Sequence, residues 1–119
     1  MPREFKINPK YMCDVHLKGE HYELHVFVGL LKLRRQVSEY VKGNMLEIST
    51  LKERHDELVR ELQTRFKNFN HDSPLEVPDV SYLPKEIINH KIDSKANLKF
   101  LVKKCKKCLE KYVETKLKT

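Results

Sequence analysis

The chain has 119 residues, 34% of them charged, no Trp and a net charge of +7. That length supports one domain with a modest core, spanning residues 1–119. No apolar run approaches a membrane span, and the first residues lack the apolar core of a secretory signal, so neither a membrane-embedded nor a secreted protein is expected. The three cysteines, Cys13, Cys105 and Cys108, are an odd number at spacings that suggest no disulfide framework. An intracellular, reducing compartment is the simpler reading: cytoplasm or nucleoid, or a nucleus.

The charge is unevenly placed. Residues 1–90 carry 14 basic and 14 acidic side chains, whereas residues 91–119 carry 10 Lys against Asp93, Glu110 and Glu114. The whole excess therefore lies in the last quarter. A basic segment of this kind suits a polyanion such as nucleic acid or an anionic surface, or is a solvated Lys-rich helix with no partner.

In chain order, residues 1–9 read as an extended arm in which Phe5 and Ile7 alternate with polar neighbours. A first helix starts between Asn8 and Asp14, with Asn8 capping ahead of Pro9 or Asp14 capping a later start. Its apolar face holds Leu17, Leu24, Val28 and Leu31, flanked by Phe27, Leu30, Leu33, Val37 and Val41, and Gly43-Asn44 stops it. A second helix spans about 45–68, with a stripe of Met45, Ile48, Leu51, His55, Leu58, Leu62 and Phe66. His55 on that stripe reads as a core residue. Residues 69–84 contain Pro74, Pro78 and Pro84 and form a long loop. Leu75, Val77, Val80 and Tyr82 are its anchors across the core. A short helical turn follows at 85–89. The last helix starts near Asp93-Ser94, with Leu98, Leu101, Val102, Cys105, Cys108, Leu109 and Tyr112 on one face. Lys95, Lys99, Lys103, Lys106, Lys107 and Lys111 cover much of the rest. The fold class is mainly α: three main helices, with the N-terminal arm packed beside the first.

Several groups carry candidate chemistry. Cys105-Lys-Lys-Cys108 is a single CxxC. Zinc needs four ligands and only Cys13 remains as a further thiolate. At i, i+3 within one helix, both sulfurs belong to its buried stripe, so a packing role is expected. His21 and His25, four apart, with Glu20, His16 and His55, resemble the makings of a bundle-core metal site, which makes a helical metal protein one alternative. No Glu-x-x-His pattern recurs on the second helix, however, and neither metal nor cofactor is expected. The third group is the N-terminus with Glu23. Removal of Met1 before the small Pro2 leaves a secondary amine. An α-amino group titrates near about 7.7–8 and is partly neutral and nucleophilic at neutral pH, so it is able to attack a sugar carbon and form an iminium. Glu23 is the carboxylate partner, stabilising the cation and moving protons.

The run Asp14-Val-His16-Leu17-Lys-Gly19-Glu20-His21-Tyr22-Glu23-Leu24-His25 resembles the first-helix signature of the pyrimidine-dimer DNA glycosylases, the UV-lesion endonucleases. A second block, Arg54-His55-Asp56-Glu57-Leu58-Val59 followed by Asn70-His71-Asp72-Ser73-Pro74-Leu75, is similar to another segment of that family. The likeness covers residues 1–75; the Lys-rich helix of 91–119 lies outside it. The resemblance implies a compact helical fold and a bifunctional glycosylase/AP lyase acting as a monomer on damaged or abasic double-stranded DNA. In that family the N-terminal amine is the nucleophile and the first-helix glutamate the essential carboxylate. Those roles fall on Pro2 and Glu23. Arg3 then approaches DNA, and His16 lies in the site wall. Tyr22 stands where the family carries an arginine, and Val26 where some members carry another. Tyr22 is suited to stacking on a base or sugar. Lys95, Lys99, Lys103 and Lys106 supply phosphate affinity without base specificity. The alternative within the same fold is a non-catalytic DNA-binding relative.

Overall fold

The computed structural model describes residues 2–70 and 73–118. Those residues form helices and turns without a strand. None of these helices is long and apolar enough to cross a membrane. The mainly helical class, with the arm beside the first helix, is as the sequence implies.

The first helix takes the later start, but with Cys13 and not Asp14 at its N-cap position, while Asn8 caps only a separate turn. Asn8 Oδ1 accepts the Lys10 N–H at 3.0 Å and caps a short 3-10 turn over Pro9–Tyr11. Helix α1 (Asp14–Lys32) then begins. It ends earlier than expected. Arg34, at φ 54°, takes the left-handed conformation, with Arg35 N–H bonded to Leu30 O and Arg34 N–H to Leu31 O, each at 3.0 Å. This is a Schellman stop with arginine where glycine is usual. It is the reason no break was visible in the sequence. Helix α2 (Ser38–Lys42) follows and ends in a second such stop at Asn44, φ 64°. The second expected helix is likewise shorter. After a 3-10 turn at Ile48–Thr50, helix α3 (Leu51–Arg65) carries the predicted stripe, with Leu51, His55, Leu58 and Leu62 buried.

Helices α1 and α3 pack together. Leu17, Leu24, Phe27, Val28 and Leu31 meet the α3 stripe, and Phe5 and Ile7 of the arm close the core. Each such side chain contributes roughly 1.5–3 kcal/mol of burial. Under the arm lies Arg54, 2% exposed. Its guanidinium grips Glu20 at 2.6 and 2.9 Å, and Nη1 donates to Ile7 O at 2.6 Å and Glu57 Oε1 at 2.7 Å. A buried guanidinium is tolerated here because its donors find carboxylate or carbonyl partners.

The described residues 73–84 cross the core without a helix, anchored by buried Leu75 and Leu83 and by Tyr82, whose hydroxyl donates to Arg35 O at 2.8 Å. Val77 is exposed rather than an anchor, as are Leu33 and Leu109. The expected turn is helix α4 (Lys85–Ile88). Helix α5 (Ser94–Lys104) starts where predicted, with Asp93 Oδ1 accepting the Ala96 N–H at 3.1 Å. The single last helix is then broken in two: Cys105 is extended, at φ −124° and ψ 110°, and helix α6 (Lys106–Leu117) starts after it. The CxxC is therefore not mid-helix. Cys105 caps α6, its Sγ accepting the Cys108 N–H at 3.4 Å.

Candidate active site

Glu20 and Glu23 lie one turn apart on α1 but have different fates. Glu20 is buried and held by Arg54, whereas Glu23 is half-buried and turned to the arm. There it accepts the backbone N–H of Arg3, which fixes the half-buried Pro2 beside the carboxylate. Burial pushes the Glu23 carboxyl above its ordinary range, and the Arg3 N–H partly offsets this. A carboxylate so raised is a stronger base than a solvated one and is suited to taking up a proton.

The Arg3 side chain points to the C-terminal helices. Its Nη2 donates to Asn97 Oδ1 at 2.6 Å, and the guanidinium lies 4.3 Å from the centre of the Phe100 ring. Asn97 is fully buried on α5. Its Nδ2 donates to Phe5 O at 3.0 Å and to Asn44 O at 3.1 Å. One amide thus joins the arm, the turn after α2 and α5. Phe100 is 40% exposed, so an aromatic face lies open beside Arg3. Neither Asn97 nor Phe100 was singled out from the sequence. Asn97 was hidden among polar helix positions, and Phe100 reads as a stray apolar residue on the lysine side.

Tyr22, next to Glu23, is 69% exposed. Lys95, Lys99 and Lys103 recur at fours as an exposed ridge on α5, and Lys106 is exposed on α6. Lys95 and Lys99 point about 160° around the axis from Asn97, so they do not converge on Glu23. Lys104, not among the four, lies nearer, its Nζ 5.5 Å from the Phe100 ring centre. His71 and Asp72 of the second resembling block lie outside the described residues.

The histidines that seemed one cluster are divided. His21, His25 and His55 come together, with ring centres 5.0–5.1 Å apart. His55 is also held by Asp56, Nδ1 to Oδ1 3.0 Å. His16 instead turns to the cysteines, with its Nδ1 3.2 Å from Cys13 Sγ and 3.5 Å from Cys108 Sγ. It keeps an edge contact with Phe5, ring centres 6.0 Å apart. Among the described residues, two groups of side chains, the histidine triad and Cys13-His16-Cys105-Cys108, thus have potential ligand atoms close enough to share a metal ion.

A search of curated proteins and a search of solved structures found no match. The profile of the pyrimidine dimer DNA glycosylases matches residues 3–76, which contain Arg3, Glu23 and the α1–α3 pair. With that match over more than half its length, the chain belongs to the pyrimidine dimer DNA glycosylase family.

Proposed function

We propose that this chain is a DNA repair glycosylase and AP lyase, acting on UV-damaged or abasic double-stranded DNA through the Pro2 amine and Glu23. The observation that carries this reading is the Arg3 N–H bond to Glu23, which sets Pro2 next to a half-buried carboxylate. With Met1 removed, the Pro2 nitrogen attacks C1′ of the damaged nucleotide. The bond from C1′ to the base breaks and the base leaves with its electron pair, taking up a proton. The attached nitrogen gives up its N–H proton, and its lone pair then expels O4′, which takes up a proton as the sugar ring opens, leaving a cationic iminium at C1′. Glu23 stabilises that cation and accepts the C2′ proton; the electron pair of the C–H bond forms a C1′–C2′ enamine, which expels the 3′ oxygen with its phosphate in β-elimination. The carboxyl, raised by burial, is suited to accepting that C2′ proton. Reaching C1′ requires the nucleotide to leave the stack. The exposed rings of Tyr22 and Phe100 are suited to holding bent, unstacked DNA, with Arg3 and the lysine ridge on phosphates.

Borohydride trapping on a duplex with one abasic site tests this. The wild-type protein should form a covalent adduct. Glu23→Gln should slow strand cleavage by about 10²-fold or more. Intact mass should show loss of Met1, and an added residue ahead of Pro2 should abolish the adduct. Salt-dependent duplex binding with no adduct at any salt concentration would favour the second reading, a DNA-binding relative without catalysis. Tyr22 and Val26 in place of the family's arginines are what favour that reading.

A further inference from the structure

Three thiols and one imidazole meet where α1 begins and α5 gives way to α6. Cys13 Sγ lies 3.2 Å from His16 Nδ1 and 3.9 Å from Cys105 Sγ, and Cys108 Sγ lies 3.5 Å from His16 Nδ1. All four ligand atoms fall within 4.8 Å of one another. A tetrahedral zinc ion, with Zn–S near 2.3 Å and Zn–N near 2.0 Å, sets sulfur–sulfur edges of about 3.8 Å and sulfur–nitrogen edges of about 3.5 Å. The Cys13–Cys105 edge of 3.9 Å and the Cys108–His16 edge of 3.5 Å match those values, and the Cys13–His16 edge of 3.2 Å is slightly shorter. We propose that Cys13, His16, Cys105 and Cys108 bind one zinc ion in a closed Cys3His site that ties α5 and α6 to the start of α1.

Four features support it beyond distance. The ligands come as two pairs of equal spacing, Cys13-x-x-His16 and Cys105-x-x-Cys108, each within one helical turn, as in structural zinc sites. The sulfurs accept backbone N–H groups, Cys13 N to Cys108 Sγ at 3.3 Å and Cys108 N to Cys105 Sγ at 3.4 Å, which suits thiolates. Lys106 and Lys107 lie between the paired cysteines and Lys104 just before them, placing cations beside a centre whose three thiolates exceed the metal charge by one. Finally, the extended Cys105 interrupts a helix with no Gly or Pro to break it, and its Sγ is thereby turned toward α1. A disulfide accounts for less: a Cys13–Cys105 bond needs sulfurs about 2.05 Å apart and leaves Cys108 and His16 unexplained.

Soft thiolates in a tetrahedron select zinc among common divalent ions. With four protein ligands the ion has no open position for water, so its role is structural. On binding, each thiol gives its proton to solvent and His16 coordinates as the neutral imidazole. The site lies on the helix that carries Glu23 and at the end of the helix that carries Asn97, so it braces the contact between Arg3 and Asn97. The inference does not depend on the catalytic reading.

The test uses the full, untagged chain purified without chelator. Elemental analysis should give one zinc per chain. Anaerobic cobalt replacement should produce a thiolate-to-cobalt charge-transfer band and intense tetrahedral d–d bands. A strong chelator should lower the melting temperature by on the order of 10 °C, restored by added zinc. Cys105→Ser should lose the zinc, and His25→Ala should keep it. If Cys105→Ser fails to fold, the wild-type cobalt spectrum decides alone, since a site made of histidines has no sulfur band. Zinc lost in His25→Ala but kept in Cys105→Ser would overturn the proposal in favour of the histidine triad. A reduced protein that takes up neither zinc nor cobalt would overturn it outright, as would a metal-free Cys13–Cys105 disulfide that does not bind zinc after reduction.

Discussion

Within the family-matched residues 3–76, α1 and α3 bury long apolar stripes and lock Arg54 between Glu20 and the arm. In α5 and α6, only Asn97, Leu101 and Cys108 are buried. The first region is held by area, with one sealed ion pair inside it. The second is held at points: the Asn97 amide, the cysteine cluster, and an edge contact of Tyr112 with Tyr11, ring centres 4.8 Å apart. Area is tolerant of single changes, whereas point contacts are not. Yet the second region supplies the partner of Arg3, so the geometry of the candidate site depends on the less redundant half.

The comparison is broken most strongly at Arg54. Arg54→Ala leaves Glu20 buried without its cation and should cost about 3–5 kcal/mol. Denaturant unfolding should show that loss, and hydrogen exchange should show it spread over both halves. A loss under 1 kcal/mol would mean that Glu20 is not sealed in.

A second test concerns pH. Burial raises the Glu4 carboxyl to about 8, with the nearby Glu20 and Glu47 adding to the rise, and the Glu47 N–H at 2.9 Å and Arg54 opposing it. Between the unfolded value near about 4.3 and the folded one the native state holds the extra proton. Stability therefore falls as pH rises through this window, and levels off above it. The difference across the window should be on the order of a few kcal/mol. Glu4→Gln, which keeps the acceptor oxygen for the Glu47 N–H, should flatten that slope in melts from pH 5 to about 9. An unchanged slope would place the titration elsewhere.

The point contacts are tested by Asn97→Ala. It removes the partner of Arg3 Nη2 and the donor to the Phe5 and Asn44 carbonyls, and should cost about 2 kcal/mol. Unlike Arg54→Ala, it should loosen amide protection in α5 and α6 while α1 and α3 keep theirs. Equal loosening of all four helices would erase the distinction between the two regions. The smallest effect is a gain. Arg34→Gly relieves a left-handed non-glycine residue at the Schellman stop and should stabilise by about 1 kcal/mol in thermal melts. A loss there would show that Arg34, 5.5 Å from the Tyr82 ring centre, contributes more through its side chain than it costs through its backbone.

Much of this protein was legible from residue order alone. Threes and fours of apolar side chains marked α1 and the α3 stripe, because helical periodicity is a local property that burial reads directly. Asp93 announced the start of α5 for the same reason. Glu23 was distinguishable through the motif it sits in, and its neighbour Glu20 looked equally available until Arg54 was seen to occupy it. The breaks at Arg34 and Cys105 were not legible, since arginine does not favour the left-handed region and no Gly or Pro marks the ordinary extended backbone at Cys105. The CxxC read as helix packing because it seemed to lie within one continuous helix, and Cys13-x-x-His16 stands nearly ninety residues away. Only the return of the last helices onto the start of α1 brings the two pairs together. That return also sets Asn97 under Arg3. Sequence determines which residues share a helix face; which faces meet, and so which carboxylate stays available and which sulfurs converge, is decided by packing across the chain.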